Sequence, residues 1–209
     1  MAAEFALSDL PPWSFEKEDP ADDGGFYAEA RLTTHIDDGA IAALTGFYRQ
    51  ALPAGGAVLD LMSSCVSHLP GDVAFAEVIG HGMNAEELAA NPQLSRWFIH
   101  DLNRDPALPL PDASLDAATI CVGVQYLQRP VPVLEELRRV LKPGAPLIVS
   151  FSNRCFPTKA VAIWLRLDDR SHAALVGAYL RAAGFTDTVA HVLADGSRCD
   201  PLIAVVGRA

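Results

Sequence analysis

The pattern that most limits the fold is an alternation. Short apolar runs at 57–62, 75–80, 97–100, 115–124, 147–152, 185–192 and 202–206 are interleaved with helical periodicity at 85–90, 131–141 and 171–183. Apolar runs of this length suit strands covered on both faces. Strand, helix, strand repetition with short links predicts a mostly parallel sheet wrapped by helices. One helix precedes the repetition. Asp37 or Asp38 can accept from free amides at its start, Ile41, Leu44, Phe47, Tyr48 and Leu52 recur at helical spacing, and Pro53 with Gly55-Gly56 stops it. Lys142-Pro143-Gly144 and Gly184 are further helix stops. Residues 1–36, with Pro11-Pro12, Pro20 and Gly24-Gly25 among acids, read as an irregular lead-in that serves as an active-site flap, and 37–209 as one domain.

Composition narrows the partners. A chain of 209 residues with a formal net charge of -10 and no cluster of lysine or arginine opposes attraction to phosphate backbones, which argues against a nucleic-acid substrate. No run approaches the ~20 apolar residues that cross a bilayer, so no membrane partner is expected. The first residues, with Glu4 among them, do not read as a basic, apolar leader, so no signal peptide is expected. Cys65, Cys121, Cys155 and Cys199 are far apart, which disfavours a zinc site and a disulfide framework. A reduced, cytoplasmic protein without a metal is the expectation.

Four stretches carry more specific information. They are Ala57-Val58-Leu59-Asp60-Leu61, then Leu108-Pro109-Leu110-Pro111-Asp112-Ala113-Ser114-Leu115-Asp116 within 101–116, then the run from Leu134 through Arg139-Val140-Leu141-Lys142-Pro143-Gly144, and finally Leu147-Ile148-Val149-Ser150-Phe151-Ser152-Asn153. In this order and spacing the chain resembles the class I S-adenosylmethionine-dependent methyltransferases, in particular their type 11 small-molecule subgroup. The resemblance implies a Rossmann-like α/β fold. Its seven-stranded, mostly parallel sheet has helices on both faces and an antiparallel last strand. The implied cofactor is S-adenosylmethionine.

The resemblance also implies residue roles. Asp60 stands at the family's first-strand acid, near the cofactor's methionine end. Asp101 matches the acid that accepts from the adenine amino group, and Leu102 packs on the ring; a carboxylate suits an exocyclic amine and an apolar wall suits a purine face. Two departures stand out. The glycine-rich turn is replaced by Met62-Ser63-Ser64-Cys65-Val66-Ser67, small residues except for Met62 and Val66, with Ser63 and Ser64 adding hydroxyls. A left-handed residue there is costly without glycine, so the turn is expected to adopt another geometry. At the ribose-binding acid the chain has Gly82, followed by Met83 and Asn84; Asn84 either meets the ribose or caps the helix from Ala85, or both.

Transfer of an activated methyl group needs alignment and a free lone pair. The residues after strands four and five, Gln125, Tyr126, Asn153, Arg154, Cys155 and Phe156, face the methyl group in this fold, and His68, His35 and Lys159 come from flanking segments. His68, Gln125, Tyr126 and Asn153 are the catalytic candidates. Arg31 or Lys159 is expected to pair with the cofactor's carboxylate or with an anionic substrate. Cys65 and Cys155 are either reactive or small buried residues. With no strong base in view, a thiol is the preferred small-molecule acceptor, since a thiol ionises near pH ~8.5. The alternative is a non-catalytic, ligand-binding regulatory protein on the same fold.

Overall fold

The computed structural model describes residues 6–209; the first five residues of the expected lead-in lie outside the described residues. The chain forms α1 (Asp23–Phe26), α2 (Asp38–Ala51), β1 (Ala57–Leu61), β2 (Glu77–Gly82), α3 (Ala85–Ala90), β3 (Arg96–Ile99), β4 (Ala117–Cys121), α4 (Pro130–Val140), β5 (Pro146–Ser152), α5 (Asp169–Ala182), β6 (Thr186–Ala194) and β7 (Leu202–Arg208). The seven strands make one sheet of order β3-β2-β1-β4-β5-β7-β6. The pairs from β3 across to β5 are parallel, whereas β7 runs antiparallel to both β5 and β6.

Local chemistry accounts for the elements. The Asp37 carboxylate accepts from Ala40 N and opens α2, which buries Ala40, Leu44 and Tyr48. Pro130 occupies the first turn of α4, where its missing N–H costs nothing, and the helix buries Val133, Leu134, Leu137 and Val140. Gly144 then takes φ 79° in the turn after Pro143. Helix α2 packs on one face of the sheet through Leu44, Tyr48, Val58, Val78 and Ile148. Leu134, Leu137 and Leu180 of α4 and α5 cover Leu59, Leu61 and Val149 on the other face.

The alternation is incomplete. Residues 62–76, between β1 and β2, form no helix, and neither do 100–116 between β3 and β4. Strand β4 ends at Cys121, short of the expected 124, because Val122 turns the chain at φ 43°. The order reverses between β1 and β4, and open parallel sheets bind ligands outside the strand ends at such a switch point. No helix among the described residues is long and apolar enough to cross a membrane.

Candidate active site

A cavity of about 280 Å³ opens at that switch point, a little under the ~300–1,000 Å³ usual for small-molecule sites. Its walls come from the carboxyl ends of β1, β2, β3 and β4, from the segment after β5, and from residues 23–35 of the lead-in.

Asp60 lines one end. It is buried, accepts from Ser63 Oγ at 2.5 Å and Thr119 Oγ1 at 3.2 Å, and makes no salt bridge among the described residues. Burial pushes its carboxyl up to about 6, against the pull of the Ser63, Ser67 and Thr119 hydroxyls. A buried carboxylate that faces the cavity and has no cationic partner of its own among the described residues is suited to receive one.

The turn after β1 takes a form unlike the one expected. Met62 does adopt the left-handed region, at φ 60°, although it is not glycine. His81 holds it there: Nδ1 accepts from Met62 N at 3.1 Å while Nε2 donates to His100 O at 3.0 Å. Both bonds suit a neutral ring, and burial pushes His81 down to about 4. Ser63 N donates to His81 O at 2.6 Å, so the turn leans onto β2. A Cβ on Gly82 would stand 2.7 Å from the Ser63 carbonyl oxygen. A turn folded onto β2 in this way leaves no room for a side chain at 82.

Two more non-glycine residues lining the cavity are left-handed, His68 at φ 55° and Val122 at φ 43°. Positive φ at a β-branched residue is a true outlier, and such strain gathers at functional sites. Gln125 supports the Val122 turn, its Nε2 donating to Val122 O at 2.8 Å. His68 is buried, its carbonyl accepts from Thr45 Oγ1 at 2.9 Å, and its Nδ1 has no partner. Burial first and then the neighbouring His35 push it down to about 4, which leaves the ring neutral.

At the far end, Asp101 Oδ1 accepts from Asn103 N at 2.9 Å in its own turn, and Leu102 is buried beside it; both line the cavity. Asn84 also lines the cavity but is fully committed. Its Oδ1 caps α3 by accepting from Glu86 N and Glu87 N, and its Nδ2 donates to the carbonyls of Tyr27 and Ala28. It is a cap and an anchor for the lead-in, with no group left for a ribose.

Arg31, Asp60, Met62, Ser63, Ser64, His68, Gly82, Met83, Asn84, Asp101, Leu102 and Tyr126, expected from the sequence, all line the cavity. Gln125 and Asn153 do not. Gln125 is fully buried in its supporting role, and Asn153 is exposed just past the end of β5, accepting from Ser152 Oγ. Lys159 is unavailable as a ligand for an anion, because its Nζ pairs with Asp19 at 2.9 Å and Asp23 at 3.3 Å. Burial raises the Cys121 thiol to about 12 and also raises that of Cys155, so neither is a ready nucleophile. Sequence reasoning missed His81 and Thr119, which carry no signal beyond their places in strands. It also missed Glu87, whose oxygens accept from Arg31 N and Ser64 Oγ, each at 2.7 Å. The spacing Asn84-x-x-Glu87 has the form of a capping box and marks that glutamate.

Residues 65–149 match the family model of the methyltransferase domain. Over these residues the chain is similar to that domain family, and its fold is that of class I methyltransferases. The match begins beyond β1 and Met62 to Ser64, where the family pattern is broken. A stretch of 79 residues is 42% identical to the ubiquinone/menaquinone biosynthesis C-methyltransferase of Caulobacter sp. (strain K31), covering 37% of this chain and 29% of that relative. This chain thus spans well under two thirds of that relative. Among solved structures, an S-adenosylmethionine-dependent methyltransferase of Aquifex aeolicus aligns with TM-score 0.59 at 19% identity, over 81% of this chain and 90% of the other. The [4+2]-cyclase SpnF aligns with TM-score 0.59 at 18% identity, over 87% and 85%. The cofactor of this domain type is S-adenosylmethionine. The cavity fits it at both ends, with a buried, cation-poor carboxylate at Asp60 and a carboxylate beside an apolar wall at Asp101-Leu102.

Proposed function

We propose that this chain is an S-adenosylmethionine-dependent methyltransferase acting on a small molecule. The observation that carries the reading is the switch-point cavity, lined by Asp60 near the end of β1 and by Asp101 and Leu102 after β3. The cofactor supplies an electrophilic methyl group whose bonding pair leaves with sulfur. Asp60 then holds the cofactor's ammonium end, Asp101 accepts from its adenine amine and Leu102 packs on that ring. The backbone about Gly82 and Met83 takes the ribose in place of an acid. His68 lines the cavity as a neutral imidazole and is the candidate to orient the acceptor.

Titration calorimetry tests the reading. S-adenosylhomocysteine binds the wild-type chain, and Asp101→Ala weakens it by about tenfold through loss of a charge-assisted hydrogen bond. Absence of binding by the wild type at millimolar ligand removes the proposal. A second reading, a ligand-binding protein without transfer, is favoured by the crowding of Gly82 by Ser63. It predicts homocysteine-analogue binding with no methyl transfer to thiols, phenols or carboxylic acids. One fold supporting different chemistries makes that control necessary.

A further inference from the structure

Resting on the methyltransferase reading, the geometry points to the class of acceptor: we propose a small planar anion, of which an aromatic carboxylate is the type, bound by Arg31 against an aromatic wall. Two arginines line the cavity, Arg31 and Arg154. Arg154 is spent, its guanidinium meeting both oxygens of Asp200 at 3.0 Å. Arg31 makes no salt bridge among the described residues. Its guanidinium donates to two backbone carbonyls, Phe26 O at 3.0 Å and Glu29 O at 3.4 Å. The rest of its five N–H donors have no protein partner among the described residues. Glu87, the nearest acid by bonding, contacts the Arg31 backbone amide, and its second oxygen takes the Ser64 hydroxyl.

The placement of the guanidinium decides between the two anions open to it. The Arg31 backbone sits by the turn after β1, but the guanidinium lies 4.5 Å from the Phe26 ring centre and 5.4 Å from that of Phe156. Phe156 follows β5 and lines the cavity, in the segment expected to face the acceptor. It stacks on Tyr126 with ring centres 6.0 Å apart and planes at 28°, and His35 meets it edge-on at 5.8 Å. Tyr126 Oη accepts from Phe156 N at 2.9 Å, which fixes the two rings together. A fixed fork of donors beside rigid rings recognises a flat carboxylate with a ring attached. A chain of net charge -10 repels anions at long range, so a specific acceptor of this kind requires such a local cation.

Benzoate and benzamide, which share a ring and differ in charge, are the probes. They are titrated into the full chain saturated with S-adenosylhomocysteine and followed by nuclear magnetic resonance. Benzoate is expected to bind about tenfold more tightly than benzamide, a preference that Arg31→Met abolishes while S-adenosylhomocysteine affinity stays within about twofold. Equal affinity of the wild type for the two probes overturns the proposal without any variant, as does a benzoate preference that survives in Arg31→Met. A loss of S-adenosylhomocysteine affinity in Arg31→Met, with 5′-methylthioadenosine affinity unchanged, also overturns it by placing the cofactor's own carboxylate on Arg31. Failure of the wild type to bind S-adenosylhomocysteine instead defeats the methyltransferase reading, and the benzoate comparison is then made on the ligand-free chain.

Discussion

At the residue scale, Asp60 concentrates the electrostatics of the site. Its carboxyl is raised from 3.8 to about 6 by burial, so the folded chain holds a proton through a pH range in which the unfolded chain has released it. Stability from this group is full below the unfolded value and lost as pH rises through about 6. The loss is on the order of 2–3 kcal/mol. Asp60→Asn removes that pH dependence: urea unfolding of the ligand-free chain at pH ~7.5 should give the variant the higher stability, with the gap closing near pH ~4.5. A gap that is the same at both pH values would show that Asp60 is not desolvated as described. On the proposed binding mode, in which Asp60 meets the cofactor's ammonium group, affinity for S-adenosylmethionine is expected to rise with pH through about 6. The sequence marked Asp60 by its place at the end of an apolar run. Its altered acidity depends on Ser63, Ser67 and Thr119, which only the folded chain gathers around it.

At the element scale, the join of β1 to β2 sets this chain apart. The strands were legible because their apolar runs are continuous, and α3 falls at 85–90 as its Asn84 cap and following residues imply. The left-handed turn was not legible. Sequence rules assign such a conformation to glycine, and here a buried imidazole from the neighbouring strand holds Met62 in it. Gly82→Asp, which restores the family's acid, drives a Cβ to 2.7 Å from the Ser63 carbonyl and 3.3 Å from Leu88. A backbone oxygen cannot swing aside, so the variant is expected to lose about 1–3 kcal/mol of stability and to bind S-adenosylhomocysteine more weakly than the wild type. Tighter binding by a stably folded variant would contradict the crowding of position 82 by the turn.

At the scale of the whole molecule, the lead-in is tied across the site by buried charge. Lys17 pairs with Asp23, Lys159 pairs with Asp19 and Asp23, and Asn103 Nδ2 donates to Asp23 at 3.0 Å. Lys17, Asp23 and Lys159 are all at least nine-tenths buried. Removing one member of such a cluster leaves its partners undercompensated, so Lys159→Met should cost about 3 kcal/mol. Hydrogen exchange should rise in residues 14–36 while the amides of β1, β4 and β5 stay protected. A uniform rise across the sheet would mean that the latch holds the whole fold rather than the segment over the cavity.

What the sequence determined by itself is the run of alternating strands and helices and a mostly parallel sheet, with Asp60 and Asp101 marked at strand ends by resemblance. Those follow from period, caps and stops, which are local, and from motifs whose spacing survives along the chain. The tertiary structure decided the middle of the cavity and the side that faces an acceptor. His81 bracing Met62, Ser63 filling the space over Gly82, and Arg31 set against Phe156 are all contacts between residues distant in sequence. Such contacts are fixed by which side chains meet once the elements pack, and a one-dimensional pattern of polarity does not encode that.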